Sequence, residues 1–357
     1  NALKGKTIAI DCANGASYKI APEILKKLKA NVVVINNKPT GKNINLNCGA
    51  LHPETVAKVV KEKKAFCGFA FDGDADRVIS VDDKGIVRDG DYFLGVVSKY
   101  LKDNNKLKNN TLVITVMANL GLIKAAKQEK ITVVTSKVGD RYVYEDLIKH
   151  KAVIGGEQSG HIIFKQLLDT GDGLISALQL LNILIKENKT LSQMCGWIKK
   201  YPQILINEKV LEKIPLEKLP QTTKFIKQVE KKLEDNGRVL VRYSGTENLL
   251  RVMLEGQDKK EIKKFAKDII NIAKKEGGYL FEKKTFCNPV IQSMLSLLVC
   301  CYACCAFHCV GDGNNNFACH FFAPLLLALF FQKTECKCGL GGCTRLRDVD
   351  DTKFFAF

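Results

Sequence analysis

The sequence predicts an α/β protein. It reads as two consecutive α/β domains with mixed, mostly parallel sheets, followed by a small C-terminal α+β domain. Three observations predict this. Apolar runs of strand length alternate with segments of helical apolar spacing from residue 7 to residue 186. After Tyr201-Pro202 the order changes to strand, helix, strand, strand, helix. At 357 residues the chain is too long for one ordinary core, and 46% hydrophobic with 26% charged residues is the balance of a soluble globular protein.

Thr7 to Asp11 reads as a strand, followed by the Asn14-Gly15 turn. Ile20, Ala21, Ile24, Leu25 and Leu28 give Tyr18 to Lys29 one apolar helical face, and Asn31 to Ile35 completes a βαβ unit. The turn between them lacks G-x-G-x-x-G, which argues against a dinucleotide site. A polar stretch, Lys42 to Gly49, precedes a helix over Glu54 to Lys63 and an apolar strand over Ala65 to Phe71. Val78 to Val81 and Ile86 to Val87 form a hairpin around Asp83-Lys84-Gly85, closing a first domain at 1–87.

The second domain, 88–200, repeats the alternation. Helices are expected over Asp91 to Tyr100, Leu120 to Gln128, Tyr142 to Lys149 and Gly173 to Lys186, and strands over Thr111 to Val116, Ile131 to Thr135 and Ala152 to Ile154. The third domain, 203–278, has helices at Thr222 to Leu233 and Lys259 to Lys275, with strands at Arg238 to Val241 and Leu249 to Glu255.

Phe71-Asp72-Gly73-Asp74-Ala75-Asp76-Arg77 organises the chain. Its three carboxylates stand at alternate positions, on one side of an extended segment. They would repel one another unless a cation neutralised them, and a hard divalent ion such as Mg²⁺ fits. An EF-hand loop needs Gly at its sixth position, where this chain has Arg77, and a preceding helix rather than a strand. A merely solvated acidic turn would not need an apolar strand aimed at it.

Three more loops carry polar groups. Lys137-Val138-Gly139-Asp140-Arg141 follows a strand, and the plain alternative is an ordinary polar βα loop. In Gly155-Gly156-Glu157-Gln158-Ser159-Gly160-His161, Glu157 and Ser159 can hydrogen-bond sugar hydroxyls or an amine. The glycines there would let the backbone approach a ligand, and His161 taken alone reads as a structural histidine. Arg242-Tyr243-Ser244-Gly245-Thr246-Glu247 offers a guanidinium and hydroxyls, the parts of a phosphate cradle, or else a plain hairpin turn.

The formal charge of +17 lies almost wholly outside residues 279–357, which hold seven Lys/Arg and six Asp/Glu. The lysines lie on the polar faces of amphipathic helices such as Lys259–Lys275, with no interleaved basic and aromatic platform, so no nucleic-acid partner is expected. General attraction for small anions is the economical reading. Of fourteen cysteines ten follow residue 280; Cys12, Cys48, Cys67 and Cys195 fit reduced thiols and a cytoplasmic location. No N-terminal signal segment is visible, and Asn1 suggests a fragment.

Residues 279–357 form an unassigned Cys- and Phe-rich tail, read as an unrelated extension. Ser293 to Val310 and Phe317 to Phe331 are apolar but each falls short of a membrane span of about 20 residues; a membrane hairpin is the alternative. Cys336, Cys338 and Cys343 lack the paired C-x-x-C spacing of a zinc site.

The Asp-Gly-Asp-Ala-Asp-Arg run resembles the metal loop of the α-D-phosphohexomutases. Within that family the Asn43 to Gly49 stretch and Val138 to Val143 look like the phosphoglucosamine mutases rather than the phosphomannomutase/phosphoglucomutases. The resemblance covers residues 1–278. It implies that Asp72, Asp74 and Asp76 bind Mg²⁺, that Arg77 lies beside the active site, and that His161 lies near proton transfer. It also implies that Lys137, Arg141, Glu157 and Ser159 contact the sugar phosphate, and that Arg242, Ser244, Gly245, Thr246 and Arg251 hold its non-reacting phosphate. Thr170 to Gly173 also matches and is expected to cap the following helix. Asn248 stands where the family usually has Pro. The implied reaction converts glucosamine 6-phosphate to glucosamine 1-phosphate for UDP-N-acetylglucosamine synthesis. The family moves phosphate through a serine in a Ser-His-Asn-Pro loop. That loop is missing from this sequence, so the chain alone is expected to bind sugar phosphate without turnover.

Overall fold

The computed structural model describes residues 2–277 and, beyond them, four short strands. The chain divides into two compact units, Asn1–Glu282 and Lys283–Phe357.

The first unit carries three sheets. Sheet one is built from β1 (Thr7–Asp11), α1 (Ser17–Lys27), β2 (Asn31–Ile35), α2 (Glu54–Lys63), β3 (Cys67–Phe71), β4 (Val78–Val81) and β5 (Val87–Arg88). Its order is β2-β1-β3-β4-β5. β1 is parallel to both β2 and β3, whereas β3–β4 and β4–β5 are antiparallel. Central β3 is buried along its whole length, as its unbroken apolar sequence requires. α1 stops two residues short of the expected end because Lys29 takes a left-handed backbone, φ 68°, to turn the chain into β2.

α3 (Gly90–Asp103) leads into sheet two: β6 (Thr111–Thr115), α4 (Leu120–Gln128), β7 (Thr132–Ser136), α5 (Asp140–Lys149), β8 (Ile154–Gly156), β9 (Ile162–Phe164), α6 (Gly173–Glu187) and the short α7 (Leu191–Met194). The order is β7-β6-β8-β9, parallel except for β8–β9. Two features differ from the sequence reading. β9 and α7 were not expected, being only three and four residues long. Gly155 and Gly156 belong to β8, where a Cβ on Gly155 would lie 2.9 Å from the Val113 carbonyl and one on Gly156 2.4 Å from that of His161. These glycines serve close backbone packing inside the sheet rather than approach to a ligand.

Sheet three, β10-β12-β11, is wholly antiparallel and comprises β10 (Gln203–Lys209), β11 (Arg238–Tyr243) and β12 (Leu249–Glu255), with α8 (Pro220–Leu233) and α9 (Lys259–Gly277) packed on it. α8 begins two residues earlier than expected, with Pro220 in its first turn, where a missing N–H costs nothing. Sheets one and two share one apolar core that includes Ile10, Phe69, Phe71, Phe93, Leu112 and Ile154; sheet three has its own, around Val229, Leu250, Val252, Ile262 and Ile269.

In the second unit, β13 (Cys309–Gly311) pairs with β14 (Phe317–Cys319) and β15 (Cys338–Gly339) with β16 (Gly342–Cys343), all antiparallel. The rest of the tail, including most of both apolar runs and Cys336, lies outside the described residues. Among the described residues, no helix is long and apolar enough to cross a membrane.

Candidate active site

β3 ends at Phe71, so its buried strand delivers the next residue, Asp72, to the C-terminal edge of sheet one, where open α/β sheets bind ligands. Asp72 is 2% exposed, while Asp74 and Asp76 stand further out; one oxygen from each lies within 4.8 Å of the others. The loop is held from two sides. Ala16 N–H donates to the Gly73 carbonyl at 2.8 Å, and Gly173 N–H, at the start of α6, donates to that of Ala75 at 2.8 Å. A Cβ on Gly15 would sit 2.2 Å from the Gly73 oxygen, so a side chain there would push the loop away.

Arg77 lies over the carboxylates, with Nε 2.5 Å from Asp72 Oδ2 and 3.3 Å from Asp76 Oδ1. Asp72 Oδ1 accepts the Arg77 backbone N–H at 3.1 Å. Despite the short ion-pair distance, Oδ2 has no hydrogen-bond partner of acceptable geometry and is buried. Burial raises the Asp72 carboxyl above its ordinary value, and nearby Asp76 adds to this, although the Arg77 contacts oppose it. Three clustered carboxylates, one of them buried, form a donor set that suits a hard divalent cation. The residues present fit a metal site.

His161 sits behind this loop, and Arg77 and His161 form an antiparallel bridge. Its Nδ1 lies 3.1 Å from Asp76 Oδ2, and Gly171 N–H donates to its Nε2 at 3.2 Å. The ring is buried, and His161 is not part of the cavity wall.

A cavity of about 680 Å³ opens beside the loop and collects Arg77, Val138, Glu157, Ser159, Lys200 and Tyr201. Glu157 braces two loops at once: Oε1 accepts Gly139 N–H at 3.0 Å and Oε2 accepts the Ser159 hydroxyl at 3.4 Å. Gly139, with φ 126°, allows the turn that brings its N–H round. Lys137 and Arg141 are outside the cavity wall; Lys137 lies over the Tyr142 ring at 5.5 Å and exposed Arg141 pairs with Glu145 at 2.8 Å.

The residues expected to cradle phosphate gather on sheet three, also outside that wall. Arg242 and Arg251 are register partners on β11 and β12. Ser244 is buried and its hydroxyl accepts Glu247 N–H at 3.4 Å, while Gly245 is open enough that a Cβ would meet nothing within 4 Å. Arg251 pairs with Glu247 at 3.0 Å, and its Nε is buried without a partner. Thr246 lies on the same exposed turn.

Some supporting residues were not found by sequence reading. Asp11 accepts from Ala13 and Gly49 backbone N–H groups and from the Asn36 and Thr55 side chains, gathering the loops around the acidic loop. Lys200 pairs with Asp89, and with Asp91 at 2.6 Å. Asp91 also accepts Asn119 N–H and the Gln158 amide. The Asp89-Gly90-Asp91 run at the start of a helix was the available signal, but its half-buried lysine partner comes from 109 to 111 positions away in the chain.

Family models match in chain order. "Phosphoglucomutase/phosphomannomutase, alpha/beta/alpha domain II" matches residues 1–85, domain III matches 89–201 and the C-terminal domain matches 205–272. The chain is 50% identical over 277 residues to a phosphoglucosamine mutase of Clostridium tetani, covering 77% of this chain and 62% of that protein. It is also 50% identical over 274 residues to one of Aliarcobacter butzleri, covering 76% and 61%. It therefore spans about three fifths of the length of these relatives. Two solved structures share the fold. A Burkholderia thailandensis phosphoglucomutase/phosphomannomutase family protein has TM-score 0.62 at 22% identity, covering 77% of this chain and 61% of that one. Aspergillus fumigatus N-acetylphosphoglucosamine mutase, in complex with GlcNAc-6P and magnesium, has TM-score 0.62 at 20% identity, covering 76% and 67%. Three successive models of one family and relatives of half-identical sequence show that the chain belongs to the phosphoglucomutase/phosphomannomutase family, the α-D-phosphohexomutases, among sequences named phosphoglucosamine mutase.

Proposed function

We propose that these residues supply the metal, sugar and phosphate sites of a phosphoglucosamine mutase, which interconverts glucosamine 6-phosphate and glucosamine 1-phosphate. The observation that carries this is the convergence of Arg77, Glu157 and Ser159 on one cavity beside the acidic triad. Its volume of about 680 Å³ suits a hexose phosphate. Glu157 and Ser159 orient the ring by hydrogen bonds to hydroxyls or the amine. Arg77 places positive charge at the reacting end. Arg242, Ser244, Thr246 and Arg251 grip the non-reacting phosphate, while Lys137 and Arg141 add positive potential at the edge. Mg²⁺ held by Asp72, Asp74 and Asp76 would neutralise charge on the transferring phosphoryl group. Positioning and electrostatics are the work left to the protein in such a transfer. The family's phosphoryl carrier, a Ser-His-Asn-Pro serine, is not among residues 1–357.

Titration calorimetry with Mg²⁺ present tests the reading. Glucosamine 6-phosphate should bind more tightly than mannose 6-phosphate, and Glu157→Ala should remove that preference. Equal or tighter binding of mannose 6-phosphate would turn the assignment toward a phosphomannomutase. Binding of neither would overturn it.

A further inference from the structure

His161 touches the triad from its buried side, and both its ring nitrogens are engaged. Nε2 takes the Gly171 backbone N–H at 3.2 Å. An amide N–H can only donate, so Nε2 must be the unprotonated nitrogen and the ring proton must sit on Nδ1. Nδ1 faces Asp76 Oδ2 at 3.1 Å and so donates to it. The other oxygen, Asp76 Oδ1, faces Arg77 Nε at 3.3 Å.

The ring has little freedom to do otherwise. Its residue is 5% exposed. A Cβ on Gly171 would lie 2.5–2.7 Å from three of the ring atoms, so the glycine presses directly on the imidazole. The same short segment then gives Gly173 N–H to the Ala75 carbonyl, and Asp172 caps α6 through Ile175 N–H at 2.8 Å. One turn of chain thus holds the histidine and the acidic loop together.

We propose that His161 is a positioning residue, locked by Gly171 as the Nδ1–H tautomer, that orients Asp76 for the divalent cation. Hydrogen-bonded partners of ligating carboxylates contribute about 10–100-fold to metal affinity. The proposal rests on the reading of Asp72, Asp74 and Asp76 as a metal site, and it differs from a direct role of His161 in proton transfer, since no ring nitrogen is left open.

Two measurements on the 357-residue chain test it. The first needs no metal. Long-range ¹⁵N–¹H correlation on histidine-labelled protein should show one ring with a protonated Nδ1 and a bare Nε2, and that signal should vanish in His161→Asn. A protonated Nε2 on that ring would overturn the proposal. The second is Mn²⁺ titration by electron paramagnetic resonance. His161→Ala and Gly171→Ala should each weaken Mn²⁺ binding about 10–100-fold. His161→Asn, whose amide can donate from near the Nδ1 position, should stay within about threefold of wild type on the same scale. Equal losses for Asn and Ala would mean that packing, not the donated hydrogen bond, matters, and would overturn the proposal. Asp76→Asn separates the two layers of inference. If it binds Mn²⁺ as wild type does, the metal reading fails. If it weakens binding while His161→Ala does not, only the positioning role fails. Should His161→Ala not fold, the tautomer measurement and the Asn variant decide.

Discussion

Arg242 and Arg251 face each other in register across β11 and β12, and among the described residues no acid pairs with Arg242. Burial and the Arg251 charge both lower the Arg242 pKa from its ordinary value. Two facing guanidiniums are unfavourable in the free protein and become favourable once an anion lies between them. Arg242→Ala should therefore weaken glucosamine 6-phosphate binding by about 1.5–3 kcal/mol, the range for a hydrogen bond to a charged group. Without ligand its melting temperature should hold or rise, because a like-charge contact is relieved. Calorimetry of both proteins, with and without sugar phosphate, checks both halves; unchanged affinity would remove this loop from the site.

Lys200 is the counter-charge for two carboxylates at the base of the cavity. Burial disfavours its charged form, but Asp91 and Asp89 outweigh this and hold its pKa above the ordinary value. Asp91 is fully buried, and one oxygen of each aspartate has no hydrogen bond. Lys200→Met keeps the stem but leaves both carboxylates unpaired, and should cost about 3–5 kcal/mol. Urea denaturation at pH 7 measures it as a lower midpoint. Adding Asp91→Asn to Lys200→Met should recover part of the loss, because one buried charge is then removed.

Asp83 joins the hairpin of sheet one to α7. It accepts the Ser192 backbone N–H and hydroxyl, each at 3.0 Å. Burial opposes ionisation there, but the Ser192 and Thr190 hydrogen bonds prevail and hold the carboxyl below its ordinary 3.8. A depressed carboxylate stabilises the fold at pH values above its unfolded pKa, and loses that contribution as pH falls through the folded value. Wild type should thus be more stable than Asp83→Asn at pH 7, with the gap closing below about pH 3.8. Thermal unfolding of both proteins across that range is the measurement, and a gap that widened in acid would contradict the assigned sign.

Much of this protein was legible in its sequence because the signals are local. The apolar run into Asp72 specifies a buried strand, alternate acids at 72, 74 and 76 specify a clustered charge, and the expected cap before Gly173 is Asp172 accepting from Ile175. Each depends on residues within a few positions of one another. The choices that needed the tertiary structure depend on partners far apart in the chain. Gly155 packs on Val113, His161 turns to Asp76 across 85 positions, and Glu255 accepts Leu120 N–H across 135. A periodic pattern says that a residue is buried or exposed, but not which distant donor reaches its polar atoms. The sequence by itself determined the longer strands and helices and the acidic triad, but not the short β9 and α7. Only folding decided which oxygens of that triad were taken by protein donors and which were left over, because a hydrogen bond is set by distance and direction in space rather than by spacing along the chain.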